Sequence, residues 1–418
     1  MSTILVNGGR VLTGTARVSG AKNSALKLMA AALLAPGASV IRNVPDITDV
    51  AVMADVLRHL GATVTRHGHT LTIDATGVAD VEAPYELVAQ MRASIVVLGP
   101  LVARFGRARV AMPGGCNIGS RKIDMHVSGL ERLGAEIAFE HGFIEATAPS
   151  GLTGADVILD FPSVGATENL LMAAVLARGT TVIDNAAREP EIGDLVDMLV
   201  AMGARIEGRG TATLTVEGVE ALAPAEHATI GDRIEAGTLL AAGAITGGEV
   251  TVTGFEPMHL EMVLAKMVRA GCAFEILPDG ATVRRTGPLG AVDVATLPFP
   301  GFPTDMQAQF MAMMAIADGS CVITENVFEN RFMFADELKR MGADIDIEGH
   351  RAIVRGVERL EGAPVRSPDL RGGAALVLAG LAAEGETRVT DIHHILRGYE
   401  GLTGKLAALG ADVRIAED

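Results

Sequence analysis

The sequence has no tryptophan, two tyrosines and only 3% aromatic residues, so its core has to be filled by Ala, Val, Leu, Ile and Met. Cysteine is scarce: three residues, at 116, 272 and 321. An odd number of widely separated thiols excludes a disulfide framework. Basic residues are also short, 35 Lys and Arg against 51 Asp and Glu, for a net charge of −16. That balance excludes nucleic acid or an anionic membrane as the main partner, although small anions can still bind where cations converge. Nor is there an apolar run near the ~18 residues of a membrane span. The richest segment, ALKLMAAALLA (25–35), is interrupted by Lys27 and ends at Pro36-Gly37. The start, MSTILVNGGRVLTG, lacks a basic stretch followed by an apolar one, so no secretory leader is expected. The expectation is a cytoplasmic protein.

What is abundant is glycine, 49 residues in 418, and its placement is periodic. The phrase LRHLGATV (57–64) returns as LERLGAEI, LVAMGARI, MVRAGCAF, LKRMGADI and LAALGADV. Their glycines, 61, 134, 203, 271, 342 and 410, are spaced by 73, 69, 68, 71 and 68 residues. A second phrase precedes each: LLAPGASV, VARFGRARV, LARGTTVI, ITGGEVTV, IADGSCVI and AAEGETRV. The chain is therefore six copies of one unit of about 70 residues. Each unit reads as an apolar helix ended by glycine, an alternating strand, an amphipathic helix also ended by glycine, and a further strand. The length predicts two domains of three units each.

The first helix of each unit is apolar nearly all round and is predicted to be buried. Polar residues nevertheless crowd its start: Lys22-Asn23, Ser163 with Thr167-Glu168, Asp232-Arg233, Thr304-Asp305, and Asp369 with Arg371. Buried helices whose N-termini share one end of a domain gather unpaired N–H groups and partial positive charge there, which favours anions.

Three readings compete for Cys116, which lies in the glycine-rich stretch PGGCNIGSR (113–121). It is a small core residue, a metal or redox group, or a reactive thiol. Cys272 and Cys321 sit within repeat phrases and are expected in the core. Metal binding lacks the paired spacing of zinc sites, and His67/His69 and His393-His394 are explained equally by solvated surface positions. Gly114 to Gly119 fits GxxxxG, but Ser120-Arg121 follows where a phosphate loop needs Lys and then Ser or Thr. Arg121, Arg331 and Arg397 lie 13, 11 and 13 residues before the glycine of their units, where the amphipathic helix is expected to begin. Three guanidiniums at one repeat position suit phosphate and carboxylate. Thr304 is expected to cap its helix, leaving Asp305 free to act as a base.

PGGCNIGSR, GAKNSALKLMAA (20–31), FPTDMQAQF (302–310), TENVFENRF (324–332) and LRGYE (396–400) resemble the UDP-N-acetylglucosamine 1-carboxyvinyltransferase family of enolpyruvyl transferases. The resemblance runs in unbroken order from about residue 3 to 415. It implies two inside-out α/β domains, barrel-like and each of three repeated units, with the active site in the cleft between them. The domains would be 22–229, and 1–21 plus 230–418. One departure stands out: Leu396 occupies the place of an Asp usual in the family.

The implied reaction transfers the enolpyruvyl group of phosphoenolpyruvate to the 3′-hydroxyl of UDP-N-acetylglucosamine, the first committed step of peptidoglycan synthesis. It needs a base near the hydroxyl, an acid near C3 of the donor, and cations around phosphate and carboxylate. The resemblance assigns the base to Asp305 and the acid to Cys116, the thiol that fosfomycin alkylates in this family. Lys22, Arg121 and Arg397 would hold phosphate, and Arg331 and Arg371 would orient the carboxylate. Asn23, Arg92, Arg121, Lys122, Ile123, Asp124, Met125, Ser163, Val164, Gly165, Asp305 and Val327 would contact the UDP-sugar or complete its pocket. No metal or organic cofactor is implied. The alternatives at this point are an enolpyruvyl transferase with another nucleotide or sugar acceptor, and a non-catalytic UDP-sugar sensor.

Overall fold

The computed structural model of the chain describes residues 2–112 and 123–417, the side chain of Arg92 excepted. By its contacts the chain divides into two units, one made of residues 2–19 and 231–417 and the other of 20–112 and 123–230. Each has its own hydrophobic core, centred on residues such as Leu26, Met29 and Leu171 in the 20–230 unit. In the other unit Leu239, Phe310 and Leu376 take that place.

Both cores are built from helices. Every residue of the helix Arg233–Ile245 is buried, as are Leu370 to Leu381 of the helix Leu370–Ala382. A helix with no polar face cannot border water, so these become the interior and the sheets become the walls. The strands alternate accordingly; Thr180–Asp184 buries Thr181 and Ile183 and turns its other side chains outward. This is the inside-out arrangement that the resemblance implies, and it buries the first helix of each unit as its apolar pattern predicts.

There are six four-stranded sheets among the described residues, all on one plan. A short edge strand runs parallel to the strand that leaves the buried helix, and two further antiparallel strands complete the sheet, a hairpin in five of the six. Asp156–Ile158, Thr180–Asp184, Thr213–Glu217 and Arg205–Glu207 are one example in that order. The 20–230 unit closes on itself when Glu226–Ala228 pairs parallel with Ala38–Arg42. The other unit is completed by the N-terminal strands. Thr13–Arg17 pairs parallel with Glu249–Thr253. Ser2–Asn7 lies between Glu386–Thr390 and Asp412–Glu417, antiparallel to both.

The glycines of the first repeat phrase, at 61, 134, 203, 271, 342 and 410, all have positive φ, between 89° and 105°. They end the amphipathic helices in the left-handed region, where other residues are strained. A second repeated feature has no counterpart in the sequence reading. Gly8, Gly218 and Gly356 follow the strands Ser2–Asn7, Thr213–Glu217 and Arg351–Arg355 and lie against the ends of buried helices. A Cβ on them would stand 2.0, 1.6 and 1.6 Å from the carbonyl oxygens of Ala383, Ala177 and Ala317. Cys272 and Cys321 are buried, and burial pushes each thiol up to about 11, which leaves them unreactive core residues.

Candidate active site

Polar residues at the buried helix starts form two sets, one in each unit. In the 231–417 unit the centre is Asp305, in a short 3-10 turn, Thr304–Met306, ahead of the helix Gln307–Met314. Its Oδ1 accepts from Arg331 Nη2 at 2.8 Å, and its Oδ2 accepts from Arg371 Nη2 at 2.9 Å and Nε at 3.2 Å. The arginine side chains are 4% and 3% exposed, the Asp305 side chain 23%. Burial alone would raise the Asp305 carboxyl, but the two guanidiniums win and hold it well below the usual carboxylate range.

Among the described residues, Nη1 of Arg331 and Nη1 of Arg371 are both buried without a hydrogen-bond partner. Two such nitrogens beside one carboxylate make a ready site for a second anion, because a buried guanidinium N–H left unmade is costly.

Glu325 braces this set. Its Oε1 accepts from Thr296 Oγ1 and from the Val327 and Phe328 amides, at 2.8, 2.8 and 3.0 Å. Its Oε2 accepts from Thr304 Oγ1 at 2.9 Å. Thr304 therefore does not cap its helix as expected; its hydroxyl is committed to Glu325, and Asp305 is fixed by arginines. Arg371 is the second residue of the helix Leu370–Ala382, capped by Asp369, whose Oδ1 accepts from the Arg371 and Gly372 amides at 2.8 and 3.1 Å. Arg397 follows the short helix His393–Leu396, and Leu396 is 41% exposed. Neither Arg331 nor Arg397 begins an amphipathic helix as the spacing suggested. Each precedes one, Ala335–Arg340 and Leu402–Ala408, by about a turn; for Arg397 the short helix His393–Leu396 takes up the chain between strand and amphipathic helix.

In the 20–230 unit Lys22 opens the helix Lys22–Ala31, and its Nζ pairs with Asp49 Oδ2 at 2.7 Å. Asn23 is partly buried, and its carbonyl accepts from Lys27 Nζ at 2.9 Å. Lys27 also faces Glu168 Oε2 at 3.4 Å, and Glu168 is raised to about 7 by burial, against the pull of Lys27. Ser163 caps the helix Val164–Ala174, its Oγ accepting from the Ala166 amide at 3.3 Å.

Gly165 packs on His126, where a Cβ would lie 3.2 Å from Nε2. The Gly99 amide donates to Asn169 Oδ1 at 2.6 Å, so Asn169 Nδ2 is the donor to Ile95 O at 3.0 Å and to His126 Nδ1 at 2.9 Å. That network brings Gly165 beside the segment Ile123, Asp124 and Met125, which leads into the helix Asp124–Arg132 containing His126.

Of the predicted residues, Asp305, Arg331 and Arg371 are in direct contact, with Val327 tied to the same bracing carboxylate. Ser163 to Gly165 share a second locality with Ile123 to Met125. Cys116, Arg121, Lys122 and the side chain of Arg92 lie outside the described residues. Sequence reasoning missed Glu325, Asp49, His126, Asn169 and the partner of Lys27. The last had a signal: a lone cation inside an apolar helix requires a buried carboxylate. Among the described residues no group of three or more His, Cys, Asp or Glu is arranged to hold a metal, and no helix is long and apolar enough to cross a membrane.

The sequence model of a family described as EPSP synthase (3-phosphoshikimate 1-carboxyvinyltransferase) matches residues 6–406. A UDP-N-acetylglucosamine 1-carboxyvinyltransferase of Trichlorobacter lovleyi is 54% identical over 420 residues, covering 100% of both chains. Among solved structures, the enolpyruvyl transferase NikO from Streptomyces tendae superposes with a TM-score of 0.89 at 30% identity, over 99% of each chain. An EPSP synthase from Acinetobacter baumannii, at 18% identity and a TM-score of 0.75 over 100% of both chains, shares the fold.

Proposed function

The chain belongs to the enolpyruvyl (1-carboxyvinyl) transferase family, and from that membership we propose that it transfers enolpyruvate from phosphoenolpyruvate to the 3′-hydroxyl of UDP-N-acetylglucosamine, releasing phosphate. That is the entry step of peptidoglycan synthesis. The observation that carries the chemistry is Asp305 between two arginines that each keep a buried, unpaired Nη1.

The hydroxyl oxygen adds to C2 of the donor as a proton is delivered to C3, giving a tetrahedral ketal. Phosphate then leaves as C3 gives up a proton. Asp305 takes the hydroxyl proton; it is ionised throughout the neutral range because Arg331 and Arg371 hold it so. The Nη1 groups of the same arginines receive the donor's carboxylate in a bidentate fashion and place C2 beside the base.

Lys22, set by Asp49, and Arg397 and Arg121 neutralise the phosphate as it leaves. Cys116 supplies the proton to C3. The capped N-terminus at Ser163, Val164 and Gly165, with Asn23, Arg92, Lys122, Ile123 to Met125 and Val327, holds the UDP-sugar; helix amides at such an end suit a diphosphate. Relatives at 54% identity carry the UDP-N-acetylglucosamine name, so a different acceptor is not favoured.

The test is phosphate release from phosphoenolpyruvate with UDP-N-acetylglucosamine, with UMP and shikimate 3-phosphate as parallel acceptors and mass spectrometry of the products. A UDP-N-acetylglucosamine product heavier by one enolpyruvyl group is expected. Turnover only with another acceptor, or with none, refutes the proposal.

A further inference from the structure

Arg371 lies on a buried aromatic floor. Its guanidinium carbon is 5.2 Å from the centroid of the Tyr399 ring. Tyr399 is 1% exposed, one of the largest fully buried side chains, and one of only two tyrosines in the sequence. Its phenol reaches into a polar cluster at the starts of two other buried helices. Gln309 Nε2 donates to the phenol oxygen at 3.1 Å and to Thr238 Oγ1 at 3.0 Å. Thr238 Oγ1 lies 3.0 Å from the phenol and donates to the Ile234 carbonyl at 2.8 Å.

The proton directions follow. The Thr238 hydroxyl is spent on Ile234, so the phenol must donate to Thr238 and accept from Gln309. Burial raises the phenol above its ordinary value, so it stays neutral and the donor direction holds. The ring is thereby pinned at its far end, with its face under a cation.

We propose that Tyr399 is a positioning residue for the donor's carboxylate: pinned by Thr238 and Gln309, its ring fixes where Arg371 holds its unpaired Nη1. The inference rests on the reading that Arg371 receives the carboxylate of phosphoenolpyruvate. Asp305 holds one edge of that guanidinium, through Nε and Nη2. Tyr399 supports it from the ring side, so loss of the ring should be felt by the donor and not by the UDP-sugar.

The experiment is steady-state kinetics of Tyr399→Phe, Tyr399→Leu, Thr238→Val and Arg371→Lys, with KM for each substrate determined separately. In Tyr399→Phe, KM for phosphoenolpyruvate should rise about threefold to tenfold, the size of one lost hydrogen bond. It should rise further in Tyr399→Leu, while KM for UDP-N-acetylglucosamine stays within about twofold. Thr238→Val removes the acceptor of the phenol proton but leaves the ring, and should give a smaller rise selective for the same substrate. It decides the matter if the Tyr399 variants do not fold.

A purely structural tyrosine would lower the folded fraction and kcat, or move both KM values together, and either result overturns the proposal. A raised donor KM in Arg371→Lys, with none in Tyr399→Phe or Thr238→Val, overturns the role of Tyr399 alone. An unchanged donor KM in Arg371→Lys removes the carboxylate assignment and this inference with it.

Discussion

At the scale of single residues the site is a problem in charge. A free carboxylate near neutrality is an ordinary weak base, but Asp305 is weaker still, because two guanidiniums stabilise its ionised form. Its folded pKa is depressed, so the basic form is present at neutral pH and is lost only as pH falls below the ordinary carboxylate range. We therefore expect kcat/KM to show no acid limb between pH 7 and about 5 from this group. Asp305→Asn should reduce kcat by about 10²- to 10⁴-fold, the usual weight of one positioned base. A pH profile with an acid limb near 6 that vanished in Asp305→Asn would contradict the description of the ion pairs.

The same residue shows what a sequence conceals. Its place at the start of an apolar helix was legible, but the Thr304 cap was not real. The partner that claims the Thr304 hydroxyl, Glu325, lies 21 positions away and only the fold brings it near. Tyr399 was passed over for a like reason, since its partners Thr238 and Gln309 lie 161 and 90 positions distant.

Elements were more legible than contacts, because their boundaries are local chemistry. A helix-ending glycine in the left-handed region is required by the backbone itself, so the six-fold phrase could be read from the chain alone. The close approaches at Gly8, Gly218 and Gly356 could not, since the colliding carbonyl belongs to a different element.

The two kinds of glycine should separate by experiment. At Gly203, with φ of 105° and nothing within 4 Å of a Cβ, alanine costs backbone strain only, about 1–2 kcal/mol. At Gly218 the Cβ would stand 1.6 Å from the Ala177 oxygen, so strand and helix must separate, at a cost above about 3 kcal/mol. Denaturant unfolding of Gly203→Ala and Gly218→Ala compares them within one unit, and equal losses would show that the close approach is relieved by some easier movement.

On the scale of the whole molecule the notable feature is that one unit is discontinuous in the chain. Ser2–Asn7 is an inner strand of its sheet, hydrogen-bonded on both edges, with Ile4, Leu5 and Val6 buried. Removing residues 1–11 should therefore uncover distant segments and spare near ones. Hydrogen exchange should accelerate in Glu386–Thr390 and Asp412–Glu417 and stay slow in Ala38–Arg42, which belongs to the other unit. Faster exchange in Ala38–Arg42 alone would mean the pairing is wrongly placed.

The discontinuity also has a meaning in time. The nearer in sequence of the two residues that pair with Asn7 is Glu386, so a ribosome adding about 5–20 residues per second leaves that strand without either partner for roughly 20–75 s. Once residue 230 is made, the 20–230 unit has its strands and can fold, while the apolar strand ahead of it still waits with both edges open. The order of synthesis is thus the reverse of the order of need: an apolar strand made early must stay unpaired until strands made late can cover it.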